Sequence, residues 1–259
     1  MTTESKKSPT PESIFDIDNK VVLVTGASSG IGLHLCQMLL GRGCRVVGAS
    51  RTACESDALR IIDKQYSGNF LAVNMDVSSA ASVDAAFDTI ADAFGHLDVV
   101  INNAGMAAPK RAVNMTPVEW ATVIDTNLTG PFLVSRAAVG IMPNGGSIIQ
   151  IASTGAFKAY VGLSAYNSSK AGVLMLSQTL AVELAPQNIR VNVLAPGYVI
   201  TPMNDEFLSG PQGEPIRNKI PLKRFAQPSD LDGAIVFFAS SASSYITGTC
   251  LVIDGGTLA

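Results

Sequence analysis

The sequence predicts an α/β fold: one domain built on a doubly wound, seven-stranded parallel sheet with helices on both faces. Three observations predict it. Seven short apolar runs recur along the chain, helical patterns lie between them, and the first run ends in spaced glycines. Runs that are apolar on both faces belong to a sheet covered on each side. With 259 residues and 47% hydrophobic content, the chain has the size of one such domain, expected over 15–259.

The elements follow in order. Residues 1–14 are polar, with Lys6, Lys7 and two prolines and no apolar segment, and are expected to be a disordered tail and not a signal peptide. Val21–Val24 reads as the first strand. It runs into Thr25-Gly26-Ala27-Ser28-Ser29-Gly30-Ile31-Gly32 and then the periodic Leu33, Leu35, Cys36, Leu39 and Leu40, giving strand, tight turn and helix. Gly26 allows the turn, Gly30 lets backbone approach a phosphate, and Gly32 packs helix on sheet. The helix start offers free N–H groups and a positive dipole end to a pyrophosphate. Gly26, Ser28, Ser29, Gly30, Ile31 and Gly32 are therefore candidate cofactor contacts, although the spacing is GxxxGxG and not GxGxxG. The second strand, Arg45–Ala49, leads into Ser50 and Arg51. Ser50 stands where a carboxylate would read ribose hydroxyls, and the Arg51 guanidinium suits a 2′-phosphate, the competing reading being a solvated surface arginine.

Further strands are expected at Phe70–Met75, Leu97–Ile101, Ser147–Ile151, Arg190–Leu194 and Cys250–Ile253, and helices at Ala80–Phe94, Trp120–Ile141, Tyr166–Leu184 and Ser229–Phe238. In Asn102-Asn103-Ala104-Gly105, small residues let a ribose approach the backbone while the asparagines tie loops together. Asn127 falls inside the Trp120–Ile141 helix, where Pro131 cannot donate to its carbonyl and a kink is expected. The stretch 199–224 holds Pro202, Pro211, Pro215 and Pro221 with two glycines, reads as irregular, and is the candidate substrate lid.

The chemistry lies at Ser153, Tyr166 and Lys170. Tyr166 and Lys170 are four apart and share a helix face. An ammonium there favours the tyrosinate, whose free pKa of about 10 is otherwise too high for proton transfer at neutral pH. Ser153 follows the fifth strand, where its hydroxyl can steady an oxyanion. The set describes a site for a carbonyl.

Taken together, TGASSGIG, the Asn102–Gly105 run, Asn127, Ser153, Tyr166-Asn167-Ser168-Ser169-Lys170 and Pro196-Gly197 resemble, in order, the signature of the short-chain dehydrogenases/reductases. The resemblance runs from about Phe15 to the end of the chain and implies a Rossmann-type fold with reversible hydride transfer between a nicotinamide and a carbonyl or secondary alcohol carbon. It implies Tyr166 as proton donor and acceptor, Ser153 on the oxyanion, and Lys170 on both the Tyr166 pKa and the nicotinamide ribose. Asn127 would be a fourth catalytic residue, holding a water that links Lys170 to solvent. It further implies Asp76 and Val77 at the adenine, Asn103, Ala104 and Gly105 near the ribose, and Pro196, Gly197, Val199 and Thr201 around the nicotinamide and phosphates. Asp76 has a second reading as the cap of the next helix. NADP(H) is expected over NAD(H).

An enoyl reductase is the first rival, against which the four-residue Tyr166–Lys170 spacing counts. The second is a non-enzymatic NADP-sensing or scaffolding protein, against which the intact Ser153, Tyr166 and Lys170 count. The last third of the chain is similar to 3-oxoacyl-carrier-protein reductases and gluconate 5-dehydrogenases. The expected site-flanking helices, Trp120–Ile141 and Ala171–Ala185, carry Arg136 as their one cation, a poor match to an acidic carrier protein. A free small ketone, sugar acid or hydroxy compound is therefore expected over a carrier-protein or CoA thioester.

A formal charge of −3 without a dense basic run argues against nucleic-acid binding. No apolar stretch reaches the ~20 residues of a membrane span. Cys36, Cys44, Cys54 and Cys250 form no framework and fit free thiols in the cytoplasm, and two separated histidines suggest no metal site. The apolar circumference of the two long helices, including Val134, Ala137, Ala138, Val139, Val173, Leu176, Leu180 and Val182, predicts pairing across a two-fold axis. The family resemblance adds a second interface at Cys250–Ile253, which gives a homotetramer.

Overall fold

The structure is a computed structural model that describes residues 13–202 and 204–259. The expected tail lies outside the described residues except for Ser13 and Ile14, which with Phe15 form a 3-10 turn. That turn is pinned by the Ser241 hydroxyl, which donates to the Ile14 carbonyl at 3.1 Å.

Seven strands form one parallel sheet: β1 (Val21–Thr25), β2 (Arg45–Ser50), β3 (Phe70–Asn74), β4 (Val99–Asn102), β5 (Gly146–Ile151), β6 (Ile189–Pro196) and β7 (Cys250–Ile253). Their order across the sheet is β3-β2-β1-β4-β5-β6-β7. The chain thus winds outward from β1 in one direction and from β4 in the other, and the switch between them opens a crevice at the strands' carboxyl ends. Alternation within β1 explains the layers. Val22 and Val24 join Leu35 and Leu39 of α1 (Gly30–Leu40), Leu59 of α2 (Asp57–Gln65) and Phe238 of α9 (Asp232–Ala239) in one core. Val21 and Leu23 join Val83 and Ile90 of α3 (Ala80–Phe94) and the inner faces of two later helices in the other.

The expected continuous helix over Trp120–Ile141 is instead three pieces. Pro117–Ile124 (α4) starts at a capping box between Thr116 and Glu119, Asp125–Thr129 forms a π turn, and Gly130–Val139 (α5) completes the run. In the π turn the Gly130 N–H bonds the Asp125 carbonyl, five residues back. Pro131 has no N–H for the Asn127 carbonyl, so the expected disturbance is real but takes the form of a bulge.

The catalytic-motif helix is α6 (Ser164–Leu184). The stretch 199–224 is not irregular throughout: it holds α7 (Asp205–Ser209) and α8 (Gly213–Lys219), which with Phe225 bury a small core of Leu208 and Ile220. Pro202 precedes α7, Pro211 lies between the two helices and Pro221 follows α8, while Pro215 sits in the first turn of α8, where a missing N–H costs little. Of the residues expected on the outer helix faces, Val134, Ala138 and Val173 are buried within this one subunit, while Val182 stays 77% exposed.

Candidate active site

The site begins at the end of β1. Gly26 (φ +68°) and Gly30 (φ +55°) both adopt left-handed backbone, which glycine takes without strain. A Cβ on Gly32 would lie 2.2 Å from the Gly26 carbonyl oxygen, so only glycine lets α1 come this close. Ser29 caps α1 without a side-chain hydrogen bond, which leaves the first N–H groups of the helix open toward the crevice. The Thr25 hydroxyl accepts from the backbone N–H groups of Asn103 (3.0 Å) and Ala104 (2.9 Å), and Asn103 Nδ2 donates to the Thr25 carbonyl at 2.9 Å. This lashing presses the Asn102–Gly105 loop on the glycine turn, and a Cβ on Gly26 would meet the Ala104 Cα at 2.9 Å. Thr201 closes the other side, its side chain 3.4 Å from where a Gly30 Cβ would sit.

At the end of β2, the Ser50 hydroxyl is buried with no protein partner, and Arg51 beside it is exposed. Asp76 accepts from the Ser78 hydroxyl (2.6 Å) and N–H (3.0 Å) through Oδ1. Those bonds, followed by the charge of Arg51, hold its carboxyl below the usual range despite partial burial. The capping role weighed for Asp76 belongs to Ser79, which accepts from the Ser82 N–H ahead of α3. Val77 is buried under Gly130. Pro196 ends β6, the Gly197 N–H bonds the Ile253 carbonyl at 2.9 Å, and buried Val199 bridges to Ala226.

Ser153 follows β5 and opens the 3-10 turn Thr154–Ala156, with its hydroxyl oxygen accepting from the Gly155 N–H at 3.0 Å. Its own proton is thereby left to donate elsewhere. Around Gly155, a Cβ would stand 3.3 Å from the Tyr166 ring, 3.4 Å from Ser153 Oγ and 2.8 Å from Asn167 Oδ1, which gathers all three at one point. Lys170 shares the Tyr166 face of α6, its Nζ 5.8 Å from the ring centroid. The ammonium is buried and donates to the Ile151 carbonyl at 2.8 Å, and burial pushes its pKa down to about 8.

Tyr166 differs from expectation. Its phenol lies above the ordinary value, because burial disfavours the anion; the Ser153 hydrogen bond opposes this, and the Tyr160 phenol adds to it. Lys170 is turned to the Ile151 carbonyl. Asn127 is fully buried, its Oδ1 accepting from the Met106 N–H (2.8 Å) and its Nδ2 donating to the Met106 carbonyl (2.8 Å) and Ser169 Oγ (3.1 Å). Ser169 in turn donates to the Tyr166 carbonyl at 2.7 Å. A Cβ on Gly105 would touch both Asn127 Oδ1 and Lys170 Nζ at 3.4 Å, so the loop after β4 meets the catalytic helix here.

Every expected site residue thus lies along the carboxyl edge of the sheet, from Asp76 beside β3 to Thr201 beyond β6. The family model described as "Enoyl-(Acyl carrier protein) reductase" matches residues 26–257. D-threitol dehydrogenase of Mycolicibacterium smegmatis is 37% identical over 93% of this chain and 94% of its own. The chain belongs to the short-chain dehydrogenases/reductases. Within that family it falls in the branch of 3-oxoacyl-carrier-protein reductases and gluconate dehydrogenases. 2-Dehydro-3-deoxy-D-gluconate 5-dehydrogenase of Escherichia coli is 34% identical over 95% of this chain and 98% of its own. A solved gluconate 5-dehydrogenase from Burkholderia cenocepacia, in complex with NADP and tartrate, superposes with TM-score 0.88 at 30% identity, covering 95% of this chain and 98% of that one. The sheet, the glycine turn and the crevice are those of this oxidoreductase family.

Two supporting residues carry more than their sequence context suggests. Thr25 and Ser169 sit inside quoted motifs, yet their roles as crosslinks appear only when the loop after β4 and the π turn at Asp125–Thr129 fold against them. The histidines pair with carboxylates, His34 with Asp232 at 2.7 Å and His96 with Asp98 at 3.4 Å, and among the described residues no cluster could hold a metal ion. No described helix is long and apolar enough to cross a membrane.

Proposed function

We propose that this chain is an NADP(H)-dependent oxidoreductase that interconverts a carbonyl and a secondary alcohol on a free small ketone, sugar acid or hydroxy compound. The observation that carries the reading is the gathering of Ser153, Tyr166 and Lys170 at the carboxyl end of β5, beside a glycine turn shaped to admit backbone-to-phosphate contact. The bound nicotinamide supplies or accepts the hydride. Tyr166, neutral and protonated at rest, gives its proton to the substrate oxygen during reduction and takes it back during oxidation. Ser153, whose oxygen accepts from the Gly155 N–H and whose proton faces the Tyr166 phenol at rest, donates to the developing oxyanion. Lys170 is poised to exchange the Ile151 carbonyl for the ribose and to pass a proton toward Tyr166. Asn127 has its side chain occupied by Met106 and Ser169, so its water-holding role would rest on the carbonyl that Pro131 leaves without a donor.

The residues fit NADP better than NAD. The buried, unpartnered Ser50 hydroxyl and the Arg51 guanidinium offer a donor and a cation to a 2′-phosphate, and neither position bears a carboxylate. The NADP complex of the Burkholderia relative supports this assignment. We place α7 and α8 as the substrate lid.

A second reading, reduction of a 3-oxoacyl thioester, draws on the Synechocystis 3-oxoacyl-[acyl-carrier-protein] reductase, 38% identical over 92% of this chain, and on exposed Arg111 and Lys158 near the site. Against it, Arg136 faces Asp84 at 3.6 Å and Lys110 faces Glu119 at 2.8 Å, so neither is an open docking charge. Nicotinamide absorbance with hydroxyketones, keto-sugar acids and acetoacetyl-CoA decides between them: hydroxyketone turnover with NADPH is expected, and no oxidation with any substrate under either nicotinamide rejects the function. We further place the protein in the cytoplasm as a homotetramer, paired through the long helices at the exposed Phe132, Met175 and Val182 and through the strand Cys250–Ile253, where Leu251 and Val252 are exposed. A 27.0 kDa monomer in light scattering rejects that assembly.

A further inference from the structure

We infer that Tyr160 and Tyr198 form the specificity wall of this site, a phenol pair that selects substrates bearing a hydroxyl beside the reacting carbonyl. The inference rests on the carbonyl-reductase reading above and names residues which that reading does not use.

Tyr160 lies between the two halves of the catalytic machinery. Its hydroxyl hydrogen-bonds Thr154 Oγ1 at 3.1 Å, one residue from Ser153. Its carbonyl accepts from Asn167 Nδ2 at 3.4 Å, one residue from Tyr166. Tyr198 directly follows Gly197, and its ring meets the Tyr160 ring edge-on at 6.2 Å and 72°. The other side of Tyr198 packs edge-on against Phe225 at 6.2 Å, in the small core of α7 and α8. One phenol is therefore fixed by the catalytic turn and the other by the lid. Both remain half-buried.

The chemistry of this wall is polar at its tips. The Thr154–Tyr160 contact engages one of those two hydroxyl protons and leaves the other to meet a ligand, while the Tyr198 hydroxyl is held against the Tyr160 phenol and offers the ligand its oxygen. Asn167 Oδ1 adds a buried acceptor with no protein partner, close to Ser153 Oγ and the Tyr166 ring around Gly155. Burial raises the phenols of both Tyr166 and Tyr198 above the ordinary value, and the nearness of Tyr160 adds to this in each case. A hydroxylated substrate supplies partners to these groups. An alkyl chain covers them without doing so, and a site built for hydrogen bonding rejects the analogue that lacks the hydroxyl.

Tyr160→Phe and Tyr198→Phe keep both rings and delete the tips. The probes are erythrulose, a four-carbon ketone with hydroxyls on both sides of the carbonyl, and butan-2-one, the bare ketone of equal length, each with NADPH. Each variant is expected to lower kcat/KM for erythrulose about tenfold, mainly through KM, with butan-2-one changed less than about twofold. NADPH binding, read by fluorescence, and the melting temperature should stay put. Thr154→Val repeats the test from the buried end of the hydrogen bond and should move erythrulose in the same direction. Equal losses on both probes, no loss on either, or a native preference for butan-2-one overturns the wall while leaving the reductase reading intact. Failure of the native protein to oxidise NADPH with either probe or with acetoacetyl-CoA removes the reductase reading, and the wall with it.

Discussion

The two ends of the sheet each carry a hollow, and the larger one is not where the expected site residues gather. The groove at the amino ends of the strands encloses about 710 Å³ between Lys20, Asp98, Gly145, Arg190 and Tyr245. Its polar groups are answered within the protein: Arg190 donates to the carbonyls of Phe238, Ser240 and Ile246, Asp98 accepts from the Val21 N–H, and the Ser147 hydroxyl donates to Phe238. Toward the carboxyl end, a cavity of about 290 Å³ is lined by Met115, Thr116, Trp120 and Ser164. Among the described residues, the buried side-chain atoms without a partner are those of Ser50, Gln150, Ser164 and Asn167, each in or just beyond the carboxyl half of a strand or beside the catalytic turn. Unmet hydrogen-bonding capacity, not volume, separates a site that awaits a ligand from a surface that is finished.

Substitutions at the two ends test that contrast. The largest effect is expected from Tyr166→Phe: kcat should fall about 10³-fold, as for loss of a general acid, while NADPH affinity measured by fluorescence titration changes less than about twofold. Substantial residual turnover would remove Tyr166 from its role. Arg51→Ala comes next. Losing a charged hydrogen bond of about 1.5–3 kcal/mol should raise the KM for NADPH by roughly 10- to 100-fold and leave that for NADH nearly unchanged, and equal native efficiency with both cofactors would refute the assignment. At the other end, Arg190→Met strips donors from three carbonyls and should cost about 2–3 kcal/mol in denaturant titration with kcat/KM within twofold. A large catalytic loss there would break the contrast.

The smallest effect is a gain. Burial holds Lys170 at about 8, against 10.5 for the free side chain. Between those values the unfolded chain binds the proton and the folded one does not, so this residue's contribution to stability rises with pH and its full penalty applies below about pH 8. Lys170→Met should therefore raise the melting temperature at pH 7 by a few degrees, after loss of the Ile151 hydrogen bond offsets part of a penalty of order 3 kcal/mol. The advantage should shrink toward pH 10, and a pH-independent difference would contradict it.

The sheet was legible because β1, β4 and most of β5 are buried on both faces, and apolar runs of that kind have few other uses. The site was legible where a residue type is demanded by backbone shape, as at Gly26 and Gly32, or by spacing on a helix, as at Tyr166 and Lys170. The bulge at Asp125–Thr129 was legible only as a disturbance, since Pro131 announces a missing donor but not how the chain absorbs it. The nine residues of α2 and the short α7 and α8 were passed over, the latter two hidden among prolines and glycines that mark their edges. The resting state of Tyr166 and Lys170 was not legible at all. It depends first on burial and then on Ser153, Tyr160 and the Ile151 carbonyl, which only the fold brings around them at the end of β5.

The π turn at Asp125–Thr129 also bears on how this segment can evolve. An α-helix advances about 100° per residue, so removing one residue from the turn would rotate everything on one side of it by that angle. Either Asn127 would leave Met106 and Ser169, or Leu133 and Val134 would leave the sheet. Exposed positions such as Thr122 and Asp125 can change identity without altering that phase. Between Thr116 and Val139, then, the number of residues is held more tightly than their kind: lineages should accumulate exchanges there and almost no insertions or deletions.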